Sequence, residues 1–468
     1  MKESIIGRAS EKEELQRIFE SGKAEFVAIY GRRRVGKTFL IKEYFENDIV
    51  FSVAGLAKGN TRLQIKNFYK TIQRYDPSLK ESPKDWLDVF DILIRYIESL
   101  ENRRKVVLLD ELPWMDTPKS GFIPALEHFW NGWASSRKDI VLVVCGSATS
   151  WMMDKLIDDH GGLHNRLTKR MFLRPFTLAE SESMLSSMGM DLSRYEVAIC
   201  YMILGGIPYY LSLLDSRKSL TQNIDSLLFS EDGDLHNEFE NLYSALFKNS
   251  EDYIKVVTAL SEVRGGSSRS EIVEKTGITT GGTLTKILKN LNSCGFVRKY
   301  RDMGNGKEDI YQLVDFYTLF YFRFLCEKHS FEDGYWMSIQ GTPKFYSWAG
   351  LSFEILALQH VRQIKQTLGI SGVMTSEYSW RHPNAQIDLV IDRKDMTINL
   401  CEMKFTEDDY HITEDEDTKL RRRVSSFKEN LGKESKSVRL TFVTTYGLAN
   451  SKYNNRVNDV IVLGDLFK

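Results

Sequence analysis

The sequence has no long apolar run: stretches such as Val106 to Leu109 or Val141 to Cys145 end after a few residues, far short of the ~20 that a bilayer-spanning helix needs. Its first residues, Met1-Lys2-Glu3-Ser4, lead into no hydrophobic segment, so neither secretion nor membrane insertion is expected and the cytoplasm is the expected location. Proline is scarce, 9 in 468 residues, which argues against long disordered linkers. The 5 cysteines, at 145, 200, 294, 326 and 401, form no C-x-x-C pair and no finger spacing, which disfavours zinc and fits reduced core thiols. Charge of one sign is also lacking. With 63 Lys and Arg against 64 Asp and Glu, the net charge of −1 creates no global field toward nucleic acid, and any such binding must come from local patches. What remains is an ordinary globular composition, 42% hydrophobic and 27% charged, in a chain long enough for about three domains of roughly 150 residues each.

The most informative segment is Gly31-Arg32-Arg33-Arg34-Val35-Gly36-Lys37-Thr38, which fits G-x4-G-K-[ST] and follows the strand-like run Phe26 to Tyr30. Glycines at these positions let successive N–H groups curl around phosphate oxygens, Lys37 reaches the β and γ phosphates, and the Thr38 hydroxyl can ligate Mg2+ where a helix begins. Gly31, Val35, Gly36, Lys37, Thr38 and Phe39 are therefore expected to bind ATP. Strand-like runs recur at 26 to 30, 49 to 53, 105 to 109 and 140 to 145 with helical stretches between them, the pattern of a parallel α/β sheet. Ser10 and Glu13 have the spacing of a capping box that opens a helix bearing Leu15, Ile18 and Phe19 on one face. The run Lys105 to Leu109 ends in Asp110-Glu111, where Asp110 would hold Mg2+ and Glu111 would polarise the attacking water. Ser147, after the next strand, is placed to sense the γ-phosphate.

With Ile6-Gly7-Arg8, the P-loop, Asp110-Glu111-Leu112-Pro113-Trp114, Cys145-Gly146-Ser147 and Gly205-Gly206-Ile207-Pro208-Tyr209-Tyr210, the first half resembles the AAA+ and STAND-like ATPases of archaea and bacteria. That resemblance implies a P-loop ASCE-type core over 1–180 and a helical lid over 181–245. It places Ile6, Gly7 and Arg8 near the adenine and Pro208 in the nucleotide site, and it implies a homo-oligomer in which a neighbour completes the site. Read structurally, Gly-Gly-Ile-Pro is equally an inter-helix break. Members tend to carry Gly-Arg after the sensor strand, whereas here Asn165 precedes Arg166, which leaves Arg166 a weak arginine finger.

From Tyr253 three short helical segments, 254–263, 270–276 and 284–294, precede a hairpin over 296–302 and 310–314 that turns at Met303 to Lys307, which reads as a winged helix over 250–318. Its basic residues, Lys286, Lys289, Arg298, Lys299, Arg301 and Lys307, outnumber the acids Asp302, Glu308 and Asp309, enough to suit a helix in a groove and a wing on a DNA backbone. A protein-contacting spacer is the competing reading.

Over 345–468 a helix around 345–364, strands near 373–380, 387–391 and 398–405, a helix at 419–430 and strands at 438–444 and 460–463 give an αβββαβ order, which resembles the restriction-endonuclease-like, PD-(D/E)xK nucleases. Glu402 and Lys404, two apart on a strand, face one side, and a hairpin turning near Lys394 and Asp395 brings Asp388 opposite Cys401 or Glu402. Asp388 and Glu402 could then hold Mg2+ with the Met403 carbonyl, Lys404 would orient the hydrolytic water, Glu354 would add an acid from the helix, and Gln386 would stand behind them. From Lys419 to Arg439 eight basic residues face only Glu429 and Glu434, a surface for a nucleic-acid backbone. The acids from Glu407 to Asp417 would form a loop covering that basic helix, or else a solvated loop beside it. The expected function is Mg2+-dependent DNA cleavage coupled to ATP hydrolysis. The alternative is an ATP-switched DNA-binding regulator with a docking fold at its C-terminus, and an RNA target is also open.

Overall fold

The computed structural model describes residues 5–101, 103–157, 163, 165–247, 249–279, 281–301, 308–326, 334–382, 385–431 and 436–468. The expected hairpin turn Met303 to Lys307, Asp302, Lys433 and Glu434 lie outside the described residues. The chain divides into two compact units, Met1–Pro175 and Phe176–Lys468.

The first unit is built on strands β1 (Glu25–Tyr30), β2 (Ile49–Ala54), β3 (Lys105–Asp110), β4 (Ile140–Gly146) and β5 (Lys169–Phe172), in the order β2-β3-β4-β1-β5. All pairings are parallel. Every residue of β3 and β4 is buried, as befits strands covered by helices on both faces. Helices Thr61–Tyr75 and Trp86–Ser99 cover part of the sheet through an aromatic cluster in which Trp86 meets Phe122 edge-on at 4.7 Å and Phe90 packs on Phe129 at 5.1 Å. The expected capping box at Ser10 does not form. The first helix starts at Ala9 after a left-handed Arg8, so Ser10 already lies in its first turn and bonds Glu11.

The second unit opens with helices Leu178–Ser187 and Arg194–Leu204, both begun by capping boxes, Thr177 with Glu180 and Ser193 with Glu196. Further on, helices Ser250–Ser261, Arg269–Thr276 and Gly282–Ser293 surround a small antiparallel sheet of β6 (Ser267–Ser268), β7 (Val297–Arg301) and β8 (Asp309–Leu313), ordered β6-β8-β7. The C-terminal sheet has the order β13-β12-β11-β10-β9. In it β9 (Thr375–His382), β10 (Ala385–Arg393) and β11 (Thr397–Lys404) form an antiparallel meander, while β12 (Ser437–Thr444) and β13 (Asp459–Val462) continue it in parallel.

Two sequence expectations change here. The helix expected over 345–364 is interrupted: Pro343–Gln359 ends, His360 intervenes, and Val361–Thr367 follows. The acidic run does not form a loop over the basic helix. Its last four acids, Glu414 to Asp417, are the first turn of the helix Glu414–Leu431, where carboxylates oppose the positive end of the helix dipole. Asp417 is buried and pairs with Arg421 at 3.0 Å and Arg456 at 2.7 Å.

Candidate functional sites

β1, β3 and β4 all run the same way, so their C-terminal ends deliver Gly31, Asp110 and Ser147 to one edge of the sheet. At Gly31 the chain must turn with φ 149°, and a Cβ there would lie 2.4 Å from the Leu173 carbonyl oxygen, so only glycine fits. Gly36, at φ 88°, then starts the helix Lys37–Phe45. Lys37 is buried and folds back on its own loop, donating to the carbonyls of Gly31 at 3.0 Å and Arg32 at 2.9 Å. The Thr38 hydroxyl donates to Asp110 Oδ2 at 2.7 Å, so the two expected Mg2+ ligands are already side by side.

Glu111 follows in a left-handed conformation, φ 45° and ψ 48°, and its Oε2 accepts from the Ser147 amide at 3.2 Å and hydroxyl at 2.9 Å. Ser147 thus engages the expected catalytic acid. Arg8 is buried and donates to the carbonyls of Val35 at 3.1 Å and Arg174 at 2.7 Å, which ties Ile6-Gly7-Arg8 to the P-loop, while Phe39 is exposed. Arg166 is exposed. Pro208 lies in the second unit as the first residue of a short helix. Before it, Gly206 (φ 63°) makes a close approach: its carbonyl accepts from the Phe176 amide at 2.8 Å.

In the C-terminal sheet, Leu389 pairs with Cys401, so the next step of the same antiparallel register sets Asp388 beside Glu402. Gln386 donates to Asp388 Oδ1 at 2.6 Å. Glu402 is bracketed by cations, with Lys404 Nζ at 3.1 Å from Oε1 and Arg423 Nη1 at 2.5 Å from Oε2. Glu354 projects from the helix Pro343–Gln359 to the same region and is held by Arg264 Nη2 at 2.5 Å. Burial, with added repulsion from Asp388 and Glu402 and only partial relief from Arg264, pushes the Glu354 carboxyl up to about 8. Burial would lower Lys404, but the carboxylate of Glu402 and then Tyr410 and Glu416 outweigh it and raise its pKa. The four residues expected from the sequence, Glu354, Asp388, Glu402 and Lys404, therefore interact with one another. Among the described residues no group of three or more His, Cys, Asp and Glu side chains is gathered closely enough to hold a metal ion.

Several partners of these acids escaped the sequence reading. Arg264 comes from the turn before β6, and Arg298 of β7 donates to Ser379 Oγ at 3.2 Å, which itself donates to the Asp388 carbonyl at 2.6 Å. Arg298 therefore faces the C-terminal sheet, not a DNA backbone as expected for a wing. Their only signal was membership in an unremarkable scatter of basic residues. No helix among the described residues is long and apolar enough to cross a membrane.

Residues 6–214 match a family described as an ATPase domain predominantly from Archaea. The uncharacterized protein MJECL04 of Methanocaldococcus jannaschii is 23% identical over 469 residues, covering 99% of both chains. The uncharacterized ATP-binding protein MJ0423 of the same organism is 50% identical over 43 residues, 9% of this chain and 73% of that one. Among solved structures, the Walker-type ATPase PABY2304 of Pyrococcus abyssi is similar, with 19% identity, 68% of this chain and 95% of that chain covered, and a TM-score of 0.49. The chain is a P-loop ATPase, and its residues 6–214 belong to that family.

Proposed function

We propose that this ATPase governs Mg2+-dependent cleavage of DNA by its C-terminal domain. In the nucleotide site, Thr38 and Asp110 are oxygen donors suited to Mg2+, which would neutralise charge on the β- and γ-phosphates. Lys37 would leave its loop carbonyls to meet the phosphates, and Glu111, released from Ser147, would orient and polarise the attacking water.

The observation that carries the second activity is the convergence of Asp388, Glu402, Lys404 and Glu354 at one end of one sheet. Asp388, Glu402 and the Met403 carbonyl form an all-oxygen donor set, and a buried acid raised by neighbouring carboxylates marks a cluster that a divalent cation would relieve. Mg2+ there would polarise the phosphodiester and acidify a water. Lys404 would orient that water and stabilise the developing charge on the phosphate. The three helices around β6-β8-β7 have the winged-helix layout and would add contacts to DNA through Lys286 and Lys289 on the helix Gly282–Ser293.

A second reading is favoured by one observation: Glu354 and Glu402 are already matched by Arg264, Arg423 and Lys404. In that reading the domain is a docking fold and the chain an ATP-switched DNA-binding regulator. The deciding assay is cleavage of supercoiled DNA, branched DNA and RNA with Mg2+, with and without ATP, by wild type, Glu402→Ala and Lys37→Ala. The nuclease reading expects cleavage by wild type and none by Glu402→Ala. Absence of cleavage on every substrate by a wild type that hydrolyses ATP leaves the regulator.

A further inference from the structure

Next to the acid cluster the surface opens into a cleft of about 320 Å3 lined by Arg381, His382, Gln386, Lys419, Arg422 and Arg423. No carboxylate lines it. Lys419, Arg422 and Arg423 are spaced i, i+3 and i+4 on the helix Glu414–Leu431 and so share one face, while Arg421 turns to Asp417 on another. Lys419 and Arg422 have no ion-pair partner among the described residues and are exposed. Concentrating cations without an acid is unfavourable unless an anion enters, and guanidinium groups arranged on one face suit phosphate oxygens.

Two residues join this cleft to the acids. Gln386 lines it and donates to Asp388, and Arg423 lines it and reaches Glu402. Leu400, Leu420, Val424 and Leu440 form an apolar floor beneath Glu402 and Arg423, so this ion pair is poorly screened and its partner choice is energetically consequential. Glu402 Oε2 is the oxygen that Arg423 occupies, and it is also one that a cation bridging Asp388 and Glu402 would take.

We propose that the cleft binds a backbone phosphate of a nucleic-acid strand adjacent to the one being cleaved, and that Arg423 is a positioning residue with two partners: Glu402 when the acids hold no cation, and the strand phosphate once a cation takes Glu402. This rests on the nuclease reading of the acids. Its consequence is positive coupling, since a divalent cation frees a guanidinium for the strand and the strand, by reciprocity, tightens the cation.

The test uses the full-length protein with Ca2+, to permit binding without turnover, and a fluorescent duplex oligonucleotide. Wild type should bind the oligonucleotide more tightly as Ca2+ rises. Arg423→Ala should bind Ca2+ alone more tightly by calorimetry, because the competing guanidinium is gone, yet lose the Ca2+-dependent gain in oligonucleotide affinity. Arg423→Lys should retain part of that gain, which separates the charge from a packing role. The double variant Lys419→Ala/Arg422→Ala should keep wild-type Ca2+ affinity and reduce the slope of log affinity against log salt by about two, one per lost phosphate contact.

A Ca2+-dependent gain that survives in Arg423→Ala overturns the partner exchange, and a salt slope unchanged in the double variant overturns the cleft. The two readings fail separately. Wild type that binds through the cleft without cleaving any substrate in Mg2+ removes the nuclease reading and leaves the cleft, whereas wild type that cleaves while the cleft variants bind and cleave like it removes the cleft alone.

Discussion

His360 is fully buried between Leu356, whose carbonyl lies 2.8 Å from Nδ1, and Leu178, whose amide donates to Nε2 at 3.2 Å. An amide donating to Nε2 requires a lone pair there, so the proton sits on Nδ1 and the ring is neutral. The Leu178 amide is otherwise an orphan donor in the first turn of its helix. Burial depresses the imidazole pKa to about 4, partly countered by the Leu356 carbonyl. The unfolded chain, with an ordinary imidazole near 6.5, binds more protons than the folded one between these values, so stability is full above about pH 6.5 and declines as pH falls toward 4. On the order of 3 kcal/mol is at stake, and urea unfolding of wild type between pH 7 and 4.5 should show that decline while His360→Gln flattens it. In the nucleotide site, Lys37→Ala should abolish ATP binding, and Glu111→Gln should bind ATP normally while hydrolysis falls about 100-fold or more; equal loss of binding in both would mean that Glu111 is structural. The P-loop residues were legible because strand, glycine turn and lysine are consecutive. Pairs such as Arg264 with Glu354 were not, because their 90-residue separation leaves no local trace.

Elements were legible where hydrophobic pattern and length agreed. The four buried strands at 25–30, 49–54, 105–110 and 140–146 all stood out, whereas β5, four residues reading Lys-Arg-Met-Phe, has too little apolar pattern to register. The helix Glu414–Leu431 shows a different failure. A dense acidic run reads as solvated loop, but the helix dipole and two arginines absorb it. Asp417 is the side chain on which that start depends: almost fully buried, it faces Arg421 one turn on and Arg456 from the loop before β13. Asp417→Asn should destabilise the second unit by about 1–3 kcal/mol, seen as a lower urea midpoint with an unchanged slope. Because this helix carries Arg423 against Glu402, the same variant should also raise amide exchange along the helix. A midpoint within error of wild type would show that the acidic turn is held by the dipole alone.

At the scale of the molecule, the family match and the compact units do not end at the same place. The ATPase match runs to residue 214, while the second unit begins at Phe176, so the last segment of the matched domain folds together with the acid cluster. Within that unit, Tyr195 of the helix Arg194–Leu204 stacks on Phe405 with ring centres 5.0 Å apart and planes 17° apart, and Phe405 directly follows Lys404. Arg194 also donates to the Gly464 carbonyl at 3.3 Å. A helix belonging to the nucleotide-binding family thus buttresses the strand end that carries Glu402 and Lys404, a contact invisible in a sequence where the two rings are 210 positions apart. Coupling of this kind requires a ligand that favours one arrangement of that helix. A non-hydrolysable ATP analogue with Mg2+, at 100 times its Kd, should stabilise the protein by about 2.7 kcal/mol and Lys37→Ala should erase that gain. The same analogue should change hydrogen exchange at the amides of residues 402–406 in wild type. Tyr195→Ala should keep the stabilisation and lose the change in exchange, because the ring that bears on Phe405 is gone while the P-loop is intact. Exchange at 402–406 that ignores nucleotide in wild type would mean that the two activities share a chain without communicating through this helix.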